Sequence, residues 1–258
     1  LGELSGVPAS HVRLVKRPTP EELLAALDEI GARLRSEAQA GRQSLLFFYY
    51  SGHARAEALN LSDGELALGR LREKLLAVPT TLTVVVLDAC QSGAFSRIKG
   101  AWPATDFSFN SVAQLNATGV AVMASSSAAE LSQESEELGS SYFTHHLLVA
   151  LRGAGDTNQD GRVSLDEAYR YAYQATLVAT AATAVGSQHV TLETDLRGKG
   201  DVPLSYPERA GARLEIPEAL AAKVLVQKRA GGAVVAEVEK SRGRAVRLAL
   251  AAGEYQVL

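Results

Sequence analysis

Hydrophobic residues follow two different periods along the chain. Three segments, at 44–53, 82–93 and 119–125, consist of an apolar run followed by polar or small residues, and the first two runs are rich in aromatic or β-branched residues. Continuous apolar runs of this length are typical of parallel strands that are covered on both faces. They predict three neighbouring strands of one buried sheet.

Between these runs the apolar residues recur every three to four positions, as on one face of a helix. The clearest case is residues 20–39, where Thr19 is placed to cap the first turn. Its apolar stripe consists of Leu23, Leu27, Ile30 and Leu34. Further helices are predicted at 66–77, 142–152 and 165–183. Because strand, helix and strand alternate, the pattern predicts an α/β fold with a mostly parallel sheet flanked by helices.

From residue 212 onward, short segments alternate apolar with polar residues and are separated by glycines. This alternation is typical of antiparallel strands with one face in water. We therefore predict two domains, 1–207 with the α/β pattern and 208–258 as a small β-sandwich-like accessory domain. Because 208–258 contains no His or Cys, its expected role is to bind a partner protein rather than to perform chemistry.

Composition narrows the class of protein. The chain has 258 residues, of which 47% are hydrophobic and 21% charged, enough for one large core and a small domain. A net charge of -3 gives no reason to expect nucleic acid as a partner. No apolar run approaches the length of about 18 residues that a membrane span needs. The single cysteine excludes an intrachain disulfide and favours a reducing compartment, which predicts a cytoplasmic location.

Two of the apolar runs end in side chains that suit nucleophilic catalysis. The run 82–93 contains Cys90, and the run 44–53 ends at His53. In open α/β sheets, ligands bind beyond the carboxyl ends of the strands. A thiol becomes a thiolate near neutral pH when an imidazole lies within hydrogen-bond reach. Taken alone, each residue also fits a structural role, but the pair at matching strand ends predicts a catalytic dyad.

The segments 50–53 (YSGH) and 87–93 (LDACQSG) resemble the histidine and cysteine motifs of the caspase and metacaspase family, especially its bacterial members. The resemblance extends from about residue 14 to 204. It implies a cysteine endopeptidase acting on protein substrates, in which Cys90 attacks the peptide carbonyl and His53 protonates the leaving amine. It further implies that the backbone N–H groups of Gly52 and Cys90 hold the oxyanion. The resemblance also implies a strand and helix ahead of the segment that matches here, so we expect either that the chain has been cleaved or trimmed or that the first strand comes from another piece.

Asp88, two residues before Cys90, is the candidate specificity residue. An anion in a partly buried pocket favours Arg or Lys before the cut bond. Metacaspases are similar here, and the resemblance implies that Asp88 acts with Ser51. Ser125 and Ser126, after the third run, are candidate substrate-binding residues, with a solvated turn as the alternative. The alternatives for function are a peptidase that cuts after Asp or Asn, and a catalytically silent calcium-binding scaffold.

Residues 94–118 show no sustained period. A structureless run of this length is usually a functional loop. In caspase-like proteins the corresponding region is a site of self-cleavage, so the resemblance implies processing at Arg97 or Lys99. A loop that is never cut is the alternative.

The segment 156–167 (DTNQDGRVSLDE) matches the twelve-residue EF-hand calcium loop, and predicted helices lie on both sides of it. The predicted ligands are Asp156, Asn158, Asp160, the carbonyl of Arg162, Ser164 and Glu167. A second loop of this kind is not evident. The sequence therefore predicts a calcium ion with a structural or regulatory role, with a polar turn of no useful affinity as the alternative.

Overall fold

The structure is a computed structural model, which describes residues 2–55, 57–89, 117–127, 130–198 and 201–258. Its helices are α1 (Gly2–Ser5), α2 (Pro20–Gln39), α3 (Leu68–Leu76), α4 (Tyr142–Val149) and α5 (Leu165–Thr180). Its strands are β1 (Leu45–Ser51), β2 (Ala54–Arg55), β3 (Ala58–Leu61), β4 (Gly64–Ala67), β5 (Leu82–Asp88), β6 (Ala117–Ala124), β7 (Glu134–Ser135), β8 (Ser140–Ser141), β9 (Val163–Ser164), β10 (Thr191–Gly198), β11 (Pro203–Ser205), β12 (Ala212–Ile216), β13 (Ala222–Lys228), β14 (Val234–Lys240), β15 (Val246–Leu250) and β16 (Tyr255–Val257).

The chain forms two compact units. The first, here called the sheet unit, contains residues 13–132 and 189–201. The second, the helix–strand unit, contains residues 1–12, 133–188 and 202–258. These units follow contacts rather than chain order, and the domain boundary after residue 207 stays a prediction.

The sheet unit is built on a four-stranded sheet with the order β1-β5-β6-β10. Strands β1, β5 and β6 are parallel, and β10 runs antiparallel to β6. Strand β5 is buried at every position, as its continuous apolar run predicts. The predicted class, α/β with a mostly parallel sheet flanked by helices, is confirmed.

Helix α2 covers the predicted residues and begins at the predicted cap. The Thr19 hydroxyl accepts the N–H of Glu22 (3.2 Å), and the Glu22 carboxylate accepts the N–H of Thr19 (2.9 Å). These reciprocal bonds form a capping box, which satisfies two backbone donors of the first turn. The buried face of α2 shares one hydrophobic core with α3 and the sheet. No helix among the described residues, α2 included, is long and apolar enough to cross a membrane.

A small antiparallel sheet, β2-β3-β4, follows His53 and was not predicted from the sequence. Its strands are two to four residues long, too short for an apolar period to show in the sequence. Leu59 and Leu66 anchor it, since each is only 1% exposed and both belong to the core of the sheet unit. The segment after His53 is therefore fastened to the core.

In the helix–strand unit, the C-terminal residues form the predicted antiparallel strands, as one pair β12-β15 and one triplet β14-β13-β16. Their buried side chains share a core with Val149 of α4. The turn after α4 approaches β15 so closely that a Cβ at Gly153 would lie 2.2 Å from the Arg247 carbonyl oxygen, and the φ of Gly153 is +121°. Only glycine fits there. A partner protein for these strands stays a prediction.

Candidate active site

The carboxyl ends of β1 and β5 lie side by side, and their register aligns the two motifs. Ser51 is paired with Asp88, and the Gly52 N–H extends the pairing by donating to the Asp88 carbonyl oxygen (3.1 Å). His53 follows Ser51 by two residues, and Cys90 follows Asp88 by two residues. Cys90, the predicted nucleophile, lies outside the described residues. Adjacent strands are about 4.8 Å apart, so the chain leaves the two strands at neighbouring points.

His53 is exposed, while its backbone is held from two directions. Its carbonyl oxygen accepts the N–H of Asn60 (2.9 Å) and the hydroxyl of Tyr50 (2.8 Å). The same hydroxyl lies 3.2 Å from the Asn60 carbonyl oxygen. These bonds fix the main chain at His53 against strand β3.

Two contacts restrict Gly52: one limits the size of a side chain at this position, and the other engages its N–H group. A Cβ at this position would lie 2.7 Å from the Tyr50 hydroxyl oxygen, so a larger residue would displace the phenol. The Gly52 N–H already donates to Asp88, so it reaches a substrate oxyanion only if that bond is exchanged. The predicted oxyanion role of Gly52 therefore stays a prediction with this requirement attached.

Asp88, the predicted specificity residue, is only 4% exposed. The hydroxyl of Ser132 donates to its Oδ1 atom (3.1 Å). Ser51, the predicted companion of Asp88, is its register partner and is exposed. The arrangement places a buried carboxylate directly before the segment that carries Cys90.

Ser125 and Ser126 are fully buried, each with 0% exposure. The Ser125 hydroxyl accepts the N–H of Ala89 (3.2 Å) and is 3.2 Å from the Ala89 carbonyl oxygen, to which it donates. The Ser126 hydroxyl donates to the Glu130 carbonyl oxygen (3.2 Å). These contacts position backbone, in particular the residue before Cys90, and substrate binding by the two serines stays a prediction.

Glu130 and His189 form a pair that sequence reasoning did not identify. The Glu130 carboxylate accepts the N–H of His189 (2.9 Å), and its other oxygen is 2.7 Å from the ring Nδ1. Burial acts to raise the pKa of Glu130, but the bonds from His189 and Ser127 outweigh it, so the pKa lies below its ordinary value. Thr191 pairs with Ala124, which puts His189 at the carboxyl edge of β6. The signal in the sequence was weak, because an antiparallel fourth strand is needed to bring His189 to that edge.

The predicted calcium loop lies in the helix–strand unit between α4 and α5, and side-chain hydrogen bonds to backbone N–H groups shape its first seven residues. The Asp156 carboxylate accepts the N–H groups of Asp160 (3.1 Å) and Gly161 (3.1 Å). Asn158 Oδ1 accepts the N–H of Asp160 (2.9 Å), and Asp160 Oδ1 accepts that of Arg162 (3.0 Å). Burial, followed by the charges of Glu167 and Asp160, raises the pKa of Asp156. The oxygen atoms of these predicted ligands are of the kind that calcium takes.

Glu167, the predicted twelfth-position ligand, is engaged elsewhere. One carboxylate oxygen accepts the N–H (3.0 Å) and hydroxyl (2.9 Å) of Thr157, and the other accepts the N–H (3.1 Å) and hydroxyl (3.0 Å) of Ser164. Burial acts to raise the pKa of Glu167, but these bonds outweigh it and lower the pKa. Within the described ranges, no three His, Cys, Asp or Glu side chains are grouped to hold a metal ion. The donor set fits calcium in chemistry, but Glu167 must turn from Thr157 and Ser164 to complete it.

Comparison with known proteins agrees with this fold. A family model described as the caspase domain matches residues 9–174. The crystal structure of caspase-1 from Spodoptera frugiperda is similar, with a TM-score of 0.50 and 15% identity over 71% of this chain and 70% of that chain. The structure of pro-sf-caspase-1 has a TM-score of 0.40 and 11% identity, over 65% of this chain and 68% of that chain. A search of curated proteins finds no match.

The mostly parallel sheet and its flanking helices define a caspase-like fold. By the match of the caspase domain, the chain belongs to the caspase family of cysteine-type peptidases, which are hydrolases of protein substrates.

Proposed function

We propose that this protein is an endopeptidase in which Cys90 and His53 form the catalytic dyad. The observation that carries the proposal is the register of β1 and β5, which pairs Ser51 with Asp88 two residues before each member of the dyad. Proton transfer requires the thiol and the imidazole to lie within hydrogen-bond reach, and neighbouring strand ends favour such an approach.

The reaction follows from the chemistry of the two groups. The Cys90 thiol passes its proton to His53, and the thiolate adds to the peptide carbonyl carbon. His53 then gives the proton to the leaving amine as the C–N bond breaks, which leaves an acyl thioester on Cys90. A water molecule, deprotonated by His53, attacks that thioester and frees the thiol. The oxyanion is held by the Cys90 N–H and, once its bond to Asp88 is exchanged, by the Gly52 N–H.

The proposed specificity is cleavage after Arg or Lys, as in the metacaspases that the motifs resemble. Asp88 supports it, because its carboxylate is 4% exposed and stands directly before the nucleophile segment. A charge at low exposure interacts strongly with an opposite charge and repels a like one. The Ser132 hydroxyl donates to Oδ1 of this carboxylate, and the carboxylate is the proposed contact for a guanidinium or ammonium group.

Peptide reporters test activity and specificity together. We expect turnover after Arg or Lys, none for Cys90→Ala, and a loss of about 100-fold or more in kcat/KM for Asp88→Asn, which removes the charge at constant shape. Ser135→Ala, a serine substitution in β7, is the control and should retain wild-type kcat/KM. Turnover after Asp or Asn would contradict the basic pocket. If the wild-type protein cleaves none of these peptides, the catalytically silent scaffold is favoured.

Self-processing at Arg97 or Lys99 is the second part of the proposal, and both residues lie outside the described ranges. The expected result is a pair of fragments whose masses place the cut at one of these residues. The Cys90→Ala variant should remain intact, and a wild-type chain that remains intact at concentrations where it cleaves peptides would contradict self-processing.

We also propose that residues 156–167 bind calcium, with Glu167 turning toward the ion. The support is the ordered set of carboxylate and amide oxygens at Asp156, Asn158 and Asp160, which accept backbone N–H groups of the loop. The Arg244 guanidinium donates to the Asp156 carbonyl oxygen (2.7 Å), so the loop is bonded to the connection between β14 and β15. Calcium should therefore stabilise the helix–strand unit.

Calorimetry and thermal unfolding with added calcium test this proposal. We expect binding and a higher unfolding midpoint for the wild type, and loss of both for Glu167→Gln. Asp166→Asn is the matched control, because Asp166 is the adjacent carboxylate and bonds Arg170 outside the loop (2.6 Å). Unchanged binding by Glu167→Gln would remove this site.

A further inference from the structure

The Tyr50 side chain spans the loop that carries His53. Its hydroxyl lies 2.8 Å from the carbonyl oxygen of His53 and 3.2 Å from that of Asn60, so one proton is shared between the two ends of the loop. The N–H of Asn60 closes the group by donating to the His53 carbonyl oxygen (2.9 Å). Three hydrogen bonds thus hold His53 to residue 60.

Residue 60 is a firm attachment point. It belongs to β3, whose Leu59 is 1% exposed in the core of the sheet unit. Burial raises the pKa of Tyr50, so its hydroxyl remains a donor through the neutral pH range. The hydrogen bonds of the Tyr50 hydroxyl therefore hold the main chain at His53 to a strand that is fixed in the core.

Gly52 is adapted to this contact. An ideal Cβ at Gly52 would lie 2.7 Å from the Tyr50 hydroxyl and 3.0 Å from the ring carbon that bears it. Real Cβ atoms do not approach other atoms this closely, so the absence of a side chain at 52 is what lets the phenol reach His53. The contact between the Tyr50 hydroxyl and His53 therefore depends on glycine at position 52.

We infer that Tyr50 is a positioning residue for His53, which sets the place of the imidazole through the backbone and does not touch the substrate. This inference rests on the proposed dyad. A displacement of about 1 Å in a catalytic group is enough to cost about 100-fold in rate. Because the Asn60 bond remains when the Tyr50 hydroxyl is removed, we expect a smaller loss of about 10-fold in kcat.

The test compares Tyr50→Phe with Tyr49→Phe in the full chain. Tyr49 directly precedes Tyr50 in β1, so its side chain is on the opposite face of the sheet. It is 41% exposed. Steady-state kinetics with an Arg reporter peptide should show kcat about 10-fold lower for Tyr50→Phe with KM within about two-fold of wild type, and no change for Tyr49→Phe. A purely structural role would not separate kcat from KM in this way.

Alkylation by iodoacetamide gives a second measurement that needs no substrate. Cys90 is the only cysteine in the chain, so the rate reports its thiolate alone. At pH 6, where an unpaired thiol is protonated, Tyr50→Phe should react several-fold more slowly than wild type because its imidazole is less well placed. Gly52→Ala should change the rate in the same direction, since it displaces the phenol.

The outcomes separate this inference from the proposed peptidase function. If the wild type cleaves no peptide, the peptidase proposal fails, while the alkylation rates still report on Tyr50. If Tyr50→Phe matches wild type in kcat and in alkylation at pH 6, the positioning role is refuted. Wild-type alkylation by Gly52→Ala, or an equal loss in Tyr49→Phe, also refutes it.

Discussion

Acid should destabilise the helix–strand unit through two adjacent buried histidines of α4. His145 and His146 are 4% and 3% exposed, and their ring centroids are 5.3 Å apart. Burial is the main cause that lowers the pKa of His145 to about 4 and that of His146 to about 3, from 6.5. Neither ring nitrogen of His146 has a hydrogen-bond partner among the described residues. A proton on His146 would therefore be a buried charge without a bond to offset its cost.

The size of the effect follows from linkage between protonation and folding. Because the pKa is lower in the folded chain, the stability from the neutral imidazole is complete above pH 6.5 and is lost as the pH falls toward the folded pKa. At pH 4.5 the unfolded chain carries the proton on His146 and the folded chain does not. Two pH units at about 1.4 kcal/mol each correspond to a loss of about 3 kcal/mol from His146.

Urea unfolding at pH 7 and pH 4.5 measures this loss. In His146→Leu the titrating group is absent, so the fall in unfolding free energy between the two pH values should be smaller than in wild type by about 3 kcal/mol. His11→Gln is the control, because it removes an exposed histidine that lies outside α4. An identical fall in His146→Leu and wild type would refute the reasoning.

Three further substitutions have expected outcomes. Ser125→Ala removes the hydroxyl that bonds both backbone groups of Ala89, and should lower kcat several-fold in the peptide assay while the unfolding midpoint moves little. Gly119→Ala should destabilise by about 3 kcal/mol or more in urea unfolding, because its φ is +121° and the new Cβ would lie 2.1 Å from the Asp195 carbonyl oxygen. Lys240, 3% exposed, donates to three carbonyl oxygens, so Lys240→Met should cost about 1–3 kcal/mol in the same measurement.

Long elements with a regular period were predictable from the residues alone. Helix α2 covers the predicted residues 20–39 and uses the predicted Thr19 cap, since twenty residues give the apolar stripe many repeats and the cap is a local bond. The β2-β3-β4 sheet was missed, because strands of two to four residues carry too few alternations to be distinguished from a loop. Its two anchors, Leu59 and Leu66, reveal their role only through the core that they join.

The candidate site also has a part that the sequence alone determines and a part that depends on the tertiary structure. The two motifs, their order and the strand ends that carry them are local features, so the sequence alone determined which side chains to consider and which family they resemble. Only the tertiary structure decided that Ser51 faces Asp88 in register, that Ser132 bonds Asp88 across 44 residues, and that Glu130 meets His189 across 59 residues. Such partners are set by strand order and loop closure, and the period of a single segment contains no information about either.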